Sequence, residues 1–545
     1  MSTSSDYHSL WKKVLDLNSI GIALSNEHNT EKLLEKILMG AISLTNADGG
    51  TLYTLTEDKK HLKFDIMYSD SLHIRQGAIY GNPITFSPLP LYDDHKKPND
   101  HMVAIYSALT LKTVNIEDVY DAEQFDFSGT RSFDQSTGYR TQSILSVAMH
   151  DHEDHVIGVL QLINARNPDK TQITPFATED QQLAESLASQ ASVTLSMKRL
   201  IEAQKELFES FIKLIATAID EKSAHTSGHC ARVPELTLMI AEAINNDTSG
   251  TFKNTCFSTE ELYELKIGAW MHDCGKVITP DSVLDKSTKL ETVHDRIHEI
   301  DLRFQLIKAD LENDSLRQQM DALKENDPDR IQTLTKTLKT ELKELDKDQQ
   351  FVRTTNIGGE FMSSEAQYCI RRIAQRTWTN SNGEVVPLLN EDEIYNLCIA
   401  KGTLTPEERQ VINNHIDVTI KMLESLPYPH YLENVPEIAG GHHERMDGKG
   451  FPKGLTREQM SVQARIIGVA DIFEALTSSD RPYKKPKTLT ESLKILGFMK
   501  KDNHIDPDLF DLFVKQKIYL QYAEEFLTSE QTDDVKHDQI PGYLS

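Results

Sequence analysis

Five short stretches between residues 225 and 484 carry the residue types that could do chemistry. They contain six histidines and two aspartates suited to metal ligation, namely His225, His229, His272, Asp273, His415, His442, His443 and Asp471. Burying this many titratable groups without partners would cost several kcal/mol for each group. A metal cluster satisfies them together, so we expect these side chains to converge on divalent cations.

The ligand types also indicate which metals and which reaction to expect. Histidine and aspartate without a thiolate favour Fe(II), Mn(II) or another first-row ion over a structural zinc. Asp273 directly follows His272, and an aspartate in that position can bridge two ions while the histidine binds one of them. Two adjacent ions suit in-line displacement at phosphorus, because they hold the attacking group and stabilise charge on the phosphate.

Each stretch taken alone has a simpler interpretation. A single inward-facing histidine such as His415 is more often a hydrogen-bonded core residue than a metal ligand. An adjacent histidine and aspartate, or a turn such as the GKG of residues 448–450, carries little weight by itself. The metal hypothesis depends on the sum of five stretches whose flanks are otherwise apolar or helix-forming.

The order of these residues matches a known family. The set H…HD…H…HH…D, with the strings HDCGK and HHERMDGKGFPKGL, resembles the HD-GYP subgroup of the HD-superfamily phosphohydrolases. The metal ligands that this resemblance implies are His229, His272, Asp273, His415, His442, His443 and Asp471. The resemblance covers residues 205–290 and 401–525, which form two parts of one all-helical catalytic domain in this interpretation. Residues 291–400 are then an insertion.

The resemblance implies a phosphodiesterase that opens cyclic di-GMP to linear pGpG, with further cleavage to GMP left open. It assigns catalytic roles to Asp273, which would position the nucleophile, and to Lys276, which would contact the scissile phosphate. It also predicts that Lys276, Glu474, Arg481 and Lys484 contact the substrate.

Four departures from the family pattern leave alternatives open. Phe451 replaces the tyrosine of GYP, Glu474 replaces a frequent aspartate, and TSSDRPYK is one residue longer than usual. His225 stands where relatives often carry glutamate or tyrosine, and glutamate there accompanies a third ion, so the choice between two and three ions is open. The changes on the ligand-binding side leave 3′,3′-cyclic GMP-AMP as an alternative substrate.

Two other functions compete with such an enzyme. A catalytically degenerate cyclic-dinucleotide receptor that signals to a protein partner is favoured by Phe451 but disfavoured by the complete ligand set. A GTP or dNTP phosphohydrolase of the wider HD superfamily fits the adjacent His272 and Asp273 but not the HHERMDGKGFPKGL string. We therefore expect an enzyme that acts on cyclic dinucleotides.

The first 178 residues have the pattern of an α+β sensor domain. Residues 8–45 show helical spacing of apolar residues, and GGTLYTLTEDKKHLKFDIMYS predicts two strands joined by a charged turn. SILSVAM and VIGVLQLINARN are apolar on both faces, as central strands are. These two runs, preceded by SFDQSTGYRTQ, resemble a GAF domain, which we place at residues 8–178. Asp134 and Tyr139 could contact a small-molecule ligand there or only stabilise the local fold.

Helical segments connect and extend these domains. Residues 179–221 have apolar residues at three- and four-residue steps, which predicts a linker and dimerisation helix in a homodimer. The alternative is that this helix packs along its own GAF sheet. Residues 291–400 include a charged helical hairpin broken at Asp327–Asp329, typical of a solvated or dimer-forming appendage. Residues 526–545 are expected to form a flexible tail.

Composition restricts the remaining functions. The chain has 545 residues with 58 basic and 84 acidic side chains, a formal net charge of −26. An acidic surface repels DNA and other long polyphosphates, so an anionic ligand must be small. Apolar runs are short, no secretory signal is evident and the five cysteines lack CxxC spacing, which predicts a cytoplasmic protein without membrane insertion.

Together these features predict a multidomain fold class. An α+β GAF sensor domain is followed by a long linker helix and by an all-α HD-superfamily catalytic domain with a helical-hairpin insertion.

Overall fold

The computed structural model of the protein describes residues 2–27, 29–77, 80–222, 228–359, 361–479 and 486–543. The chain divides into two compact units, Met1–Leu207 and Phe208–Ser545. Three predicted site residues, His225, Arg481 and Lys484, lie outside the described residues. Within the described part of the chain, no helix is both long and apolar enough to cross a membrane.

The first unit contains an antiparallel sheet. Its strands are β1 (Ala47–Leu55), β2 (His61–Ser69), β3 (Ile74–Gly77), β4 (Leu89–Pro90), β5 (Val114–Ile116), β6 (Ile144–His150), β7 (Val156–Arg166) and β8 (Ile173–Thr174). They are hydrogen-bonded in the order β3-β2-β1-β7-β6-β5, with β4 beside β2 and β8 beside β7. SILSVAM and VIGVLQLINARN form β6 and β7, which confirms their prediction as central strands.

Helices cover both faces of this sheet. They are α1 (Ser2–Ser25), α2 (Thr30–Thr45), α3 (Val103–Thr110), α4 (Ser128–Thr137) and the start of α5 (Thr178–Lys222). Leu33 and Ile37 of α2 share one apolar core with Leu187 of α5, whereas Ile105 of α3 packs in a second core on the other face. The predicted helical region 8–45 is two helices, because Asn29 accepts a hydrogen bond from the Lys32 amide and starts α2 anew.

The second unit is built mainly from helices. They are the remainder of α5 with α6 (His229–Asn245), α7 (Thr259–Met271), α8 (Asp281–Leu284), α9 (Ile297–Lys324), α10 (Pro328–Asn356), α11 (Ser364–Ala374), α12 (Glu391–Leu397), α13 (Pro406–Asn413), α14 (His415–Glu424), α15 (Val435–Gly440), α16 (Val462–Thr477), α17 (Leu489–Lys501), α18 (Pro507–Lys515) and α19 (Ile518–Phe526). The largest apolar core joins α6, α7 and α16–α19 around the buried Phe473, Phe510 and Phe513.

The predicted hairpin is confirmed as the antiparallel pair α9 and α10. Asp327 caps α10 by accepting a hydrogen bond from the Arg330 amide, so the break falls where the sequence placed it. The hairpin has its own core, in which Phe304 packs with Val352 and with Ile370 of α11. A short two-stranded sheet, β9 (Thr377–Thr379) with β10 (Val385–Pro387), also lies in this insertion.

The expectation of a flexible tail at residues 526–545 is wrong for its described part. Gln531 is buried and donates to the Thr477 carbonyl, and His537 is hydrogen-bonded to the Tyr519 hydroxyl. Ile540 is buried in the largest core of the second unit. The segment packs because these few side chains fill positions beside α16, α17 and α19 that a sequence pattern does not reveal.

Candidate metal centre

Helix ends bring most of the predicted metal ligands together in the second unit. The ligands at the ends of α6, α7, α14 and α15 are His229, His272, Asp273, His415, His442 and His443. Asp471 instead lies inside α16. All of these side chains are buried or half-buried, so their polar atoms face one another rather than solvent.

Asp273 lies between two sets of imidazoles. Its Oδ2 atom is 3.5 Å from His229 Nε2 and 3.3 Å from His272 Nε2. Its Oδ1 atom points elsewhere and is 3.2 Å from His415 Nε2. One carboxylate therefore offers an oxygen to each of two neighbouring positions.

Two groups of candidate ligand atoms occupy these positions. The first group is His229, His272 and Asp273, and the second group is His415, His442 and His443; within each group the ligand atoms lie within 4.8 Å of one another. Asp471 extends the first group, because its Oδ1 atom is 3.3 Å from His229 Nε2 and 3.9 Å from His272 Nε2. The structure thus brings together every predicted metal ligand among the residues it describes.

Three histidines share one hydrogen-bonding pattern. Each Nδ1 donates to the backbone carbonyl three residues earlier, in the pairs His272–Ala269, His415–Ile412 and His442–Ala439. Their Nε2 atoms are buried and find no hydrogen-bond partner among the described residues. Unpartnered buried nitrogens are costly, whereas metal-bound histidines usually donate their second N–H in this way. The donor set therefore fits divalent cations.

Burial keeps two histidines of the second group in the form that metal binding requires. It lowers the pKa of His442 well below the ordinary value, and the neighbouring imidazoles of His443 and His272 lower it further. It also lowers the pKa of His443 to about 4. Both imidazoles are therefore neutral near pH 7, and the neutral imidazole is the metal-binding form.

The carboxylates of the centre are ionised. Burial acts to raise the pKa of Asp273, but the positive charge of Lys276 and the neighbouring imidazoles of His272 and His229 outweigh it and lower the pKa. Burial likewise acts to raise the pKa of Asp471, and the hydrogen bond from His229 reverses it. Lys276 Nζ lies 2.6 Å from Asp273 Oδ2, so one fixed cation already borders the site.

Glu474 lies one helical turn beyond Asp471 and is only 1% exposed. Its Oε2 atom is hydrogen-bonded to His229 Nδ1, and its Oε1 atom accepts from Arg232 Nε at 2.7 Å. The sequence predicted substrate contact for this residue. The geometry favours another role, because both oxygens are used to hold His229 and Arg232.

The string that resembles GYP forms a loop beside the second group. Buried Glu444 holds it by accepting hydrogen bonds from the amides of Lys453 and Leu455, at 2.7 and 2.9 Å. The ring of Phe451 packs on His443 with the ring centres 4.9 Å apart. This ring contact does not need the tyrosine hydroxyl that the family pattern carries at this position.

The comparisons with known proteins agree with these two parts of the chain. A profile of the HD domain matches residues 391–509, and a profile of the GAF domain matches residues 29–195. The chain has a GAF domain and an HD domain. The HD match contains the second group and Asp471, whereas the first group precedes it in the sequence.

Curated bacterial phosphodiesterases are similar to part of this chain. A Thermotoga maritima protein named cyclic di-GMP phosphodiesterase is 31% identical over 142 residues, 26% of this chain and 37% of the relative. A Pseudomonas aeruginosa protein with that activity in its name is 38% identical over 114 residues, 21% and 26% of the two chains. A Vibrio cholerae protein named 3′3′-cGAMP-specific phosphodiesterase 1 is 41% identical over 99 residues, which are 18% of this chain and 22% of the relative. The chain thus spans less than two fifths of the length of each relative.

The GAF domain has a cavity of its own. Its volume is about 420 Å³, and its lining includes Phe64, Phe127, Phe133, Asp126 and Gln161. Aromatic walls with a few polar groups are typical of small-molecule sites.

Asp134 and Tyr139 bond instead to the surrounding fold. Asp134 accepts from the Thr141 amide and hydroxyl, both at 2.8 Å, and from the Tyr120 hydroxyl at 2.9 Å. The Tyr139 hydroxyl donates to Asp48 at 2.6 Å. These bonds favour the structural alternative for both residues.

Sequence reasoning missed three residues that support the HD-domain centre. Glu444 and Arg232 carried a weak signal, because they lie one and three residues from the predicted ligands His443 and His229. Thr419 carried none: its hydroxyl accepts from the Gly275 amide and donates to the His272 carbonyl. A Cβ at Gly275 would lie 1.9 Å from the His415 carbonyl, so this glycine allows the two groups to approach.

Proposed function

We propose that the protein is a metal-dependent phosphodiesterase of the HD-GYP type that hydrolyses cyclic di-GMP to linear pGpG. One observation carries the proposal: the two oxygens of Asp273 face separate histidine groups. In these groups the Nε2 atoms of His272, His415 and His442 are buried and have no hydrogen-bond partner among the described residues. A carboxylate in this position can bridge two ions, and two adjacent ions suit displacement at phosphorus. The names of the similar phosphodiesterases support the substrate class.

The ligand set divides between two ions, for which we propose Fe(II) or Mn(II). The first group with Asp471 would hold one ion, and the second group would hold the other, with Asp273 shared. Divalent cations bound there supply Lewis-acid chemistry, in that they acidify water and stabilise charge on a phosphodiester. His225, which could bind a third ion, lies outside the described residues, so the choice between two and three ions stays open.

The side chains of the protein would position the reactants. Asp273 would orient the attacking water, and its lowered pKa makes it a poor sole proton acceptor. Lys276 would offset charge on the non-bridging oxygens, a contribution of roughly 2–4 kcal/mol at similar positions. Arg481 and Lys484 would hold the rest of the dinucleotide. In-line attack then breaks the bond from phosphorus to the 3′-oxygen and leaves a 5′-phosphate and a free 3′-hydroxyl.

Metal analysis and product analysis of anaerobically purified protein test this function. We expect roughly two equivalents of metal per chain and conversion of cyclic di-GMP to pGpG. Asp273→Asn should remove turnover and lower the metal content together. Asp417→Asn is the matched control, because Asp417 is an exposed residue of α14. A wild-type protein with neither metal nor product would support the receptor alternative, and an active Asp273→Asn enzyme would refute the bridging assignment.

3′,3′-cyclic GMP-AMP is the second candidate substrate. The 41% identical relative from Vibrio cholerae, named as specific for this dinucleotide, favours it. The ratio of kcat/KM for the two cyclic dinucleotides, measured on one enzyme preparation, decides between them. A higher value for cyclic GMP-AMP would replace cyclic di-GMP as the proposed substrate and leave the metal assignment intact.

We also propose that a small molecule in the GAF cavity regulates the HD domain. The cavity is lined by aromatic and polar side chains, and GAF domains bind small ligands. We expect a ligand extracted from the purified protein to change the turnover rate of the wild-type enzyme. Gln161→Leu removes polar atoms from the cavity wall and should abolish that change. An unchanged response would contradict this role.

Free cysteines, among them exposed Cys256, support a reducing, cytoplasmic location.

A further inference from the structure

Helix α9 of the insertion has two apolar faces. One face packs in the core of the hairpin through Ile300, Phe304, Ile307 and Leu311. The other face carries large apolar residues that are 48–62% exposed, namely Leu302, Leu306, Leu316, Met320 and Leu323. At about 100° per residue, this second face lies opposite the first, on the side away from α10. A run of exposed apolar side chains along one helix marks an interaction surface.

The second face follows a coiled-coil repeat. Its positions alternate in steps of four and three residues, at 302, 306, 309, 313, 316, 320 and 323. This 3.5-residue spacing is the repeat that keeps one seam of a helix against a partner helix. The d positions are Leu302, Ala309, Leu316 and Leu323, and the a positions are Leu306, Asn313 and Met320. Leucine at d is the usual choice in parallel two-stranded coiled coils.

The polar residues of this face select a partner. Asn313 occupies the central a position, where a single asparagine fixes register and a two-stranded state. Glu312 and Arg317 fall at successive g and e positions. In a parallel pair they attract each other across the seam, once in each direction, because a two-fold axis repeats the contact. The face is therefore complementary to itself.

We propose that this second face of α9 pairs with α9 of a second copy of the chain, in parallel and in register. The two α9 helices would form the seam, and each α10 would lie on the outer side of its own α9. This inference gives the insertion a role and does not depend on the proposed catalytic function. Pairing with a second copy in register places Asn313 opposite Asn313. This pairing favours a second copy over a different protein or another part of the same chain as the partner of this face.

A disulfide across the seam tests the register. In a full-length chain with exposed Cys256 replaced by serine, Asn313→Cys places one thiol at the central a position. A parallel pair brings the two copies of residue 313 face to face, within the range that a disulfide spans. We expect mild oxidation to convert most of the protein to a covalent dimer on a non-reducing gel. Adding Leu316→Glu should suppress that dimer, because it places like charges in the seam.

Asp314→Cys in the same background is the matched control, because this exposed residue is a neighbour of Asn313 but points away from the seam. It should cross-link far less at equal protein concentration. Equal cross-linking of the two variants, or no covalent dimer of Asn313→Cys, would overturn the proposal. A disulfide formed within one chain would assign the face to another part of the same molecule and would also overturn it.

Discussion

At the scale of single residues, backbone carbonyls fix the histidine rings of the candidate metal centre. His272, His415 and His442 donate Nδ1–H to carbonyls in the preceding turn and so direct Nε2 towards Asp273 or the second group. Helix ends suit this arrangement, because the last carbonyls of a helix have no partner within it. The rings therefore need little reorganisation when a cation binds.

His229 is held differently, by the carboxylate of Glu474. We predict that Glu474→Gln, which keeps the shape but removes the charge, lowers metal affinity by about 10–100-fold, as at similar supporting positions. Glu474→Asp keeps the charge and should lower the metal affinity less than Glu474→Gln does. Metal titration of apo-protein measures the affinity, with exposed Glu458→Gln as the control. An unchanged affinity with altered KM would instead favour the substrate contact that the sequence suggested.

Lys276 Nζ contacts Asp273 Oδ2 at 2.6 Å, and its side chain is 20% exposed. We predict that Lys276→Met lowers kcat by about 10²–10³-fold, the effect of removing one preorganised group that stabilises transition-state charge. The metal content should stay near that of the wild type, because lysine is not a ligand. Steady-state kinetics with metal analysis checks this, and exposed Lys253→Met is the control. Loss of metal with loss of rate would mean that Lys276 acts by holding Asp273.

At the scale of elements, local signals predicted helix starts but not how a helix continues. The sequence has threonine at 405 and glutamate at 408, which predicts a capping box, and the structure forms it at the start of α13. The apolar spacing of Ile412, Ile416 and Leu423 predicts that one helix continues through His415, whereas the structure ends α13 at Asn413 and begins α14 at His415. The Ile412 carbonyl thereby becomes available to His415 Nδ1. A capping pattern reports a helix start, but this interruption depends on contacts with distant segments such as Gly275.

The sequence left two alternatives for residues 179–221, and packing against the GAF domain describes only the first part of α5. Leu183, Leu187 and Leu195 are buried against the GAF domain. Beyond them, Leu200 and Leu207 are exposed. Periodicity along a helix shows that an apolar face exists, but it does not show where the domain that covers this face ends.

Asp134 offers a test within the GAF domain. It is buried and accepts three hydrogen bonds from Thr141 and Tyr120. We predict that Asp134→Ala lowers the free energy of unfolding of this domain by about 1–3 kcal/mol, because the donors lose a charged acceptor. In calorimetry of the full chain the GAF transition should move down by several degrees, while metal content stays constant. Exposed Asp121→Ala is the control, and an unshifted transition would contradict the structural role.

At the scale of the whole molecule, the centre is assembled from segments separated by the insertion. His229 of the first group and Asp471 are 242 positions apart in the sequence, yet Asp471 Oδ1 is 3.3 Å from His229 Nε2. The family motif predicted which residues converge. The adjacent His272 and Asp273 also predicted that Asp273 bridges two ions, but which oxygen faces which group depends on how α7 and α14 pack through Gly275 and Thr419.

The exposed face of α5 predicts a homodimer. Its apolar residues are more than half exposed and alternate in steps of four and three residues around Gln204, namely Val193, Met197, Leu200, Leu207, Phe211 and Leu214. Such a seam pairs two parallel helices. This contact would be separate from the one proposed for α9, so the two seams can be disrupted independently.

We predict that Leu200→Glu combined with Leu207→Glu raises the dimer dissociation constant of the full chain at least about tenfold, a loss of roughly 1.4 kcal/mol. The reason is that each helix would carry two glutamates, and these would face the glutamates of the partner helix across the seam. Arg199→Glu changes the net charge by the same amount from a position outside the seam and should leave dimerisation intact. Sedimentation velocity over a dilution series measures both variants. If the double variant and the wild type dissociate at the same concentration, α5 does not hold the dimer together.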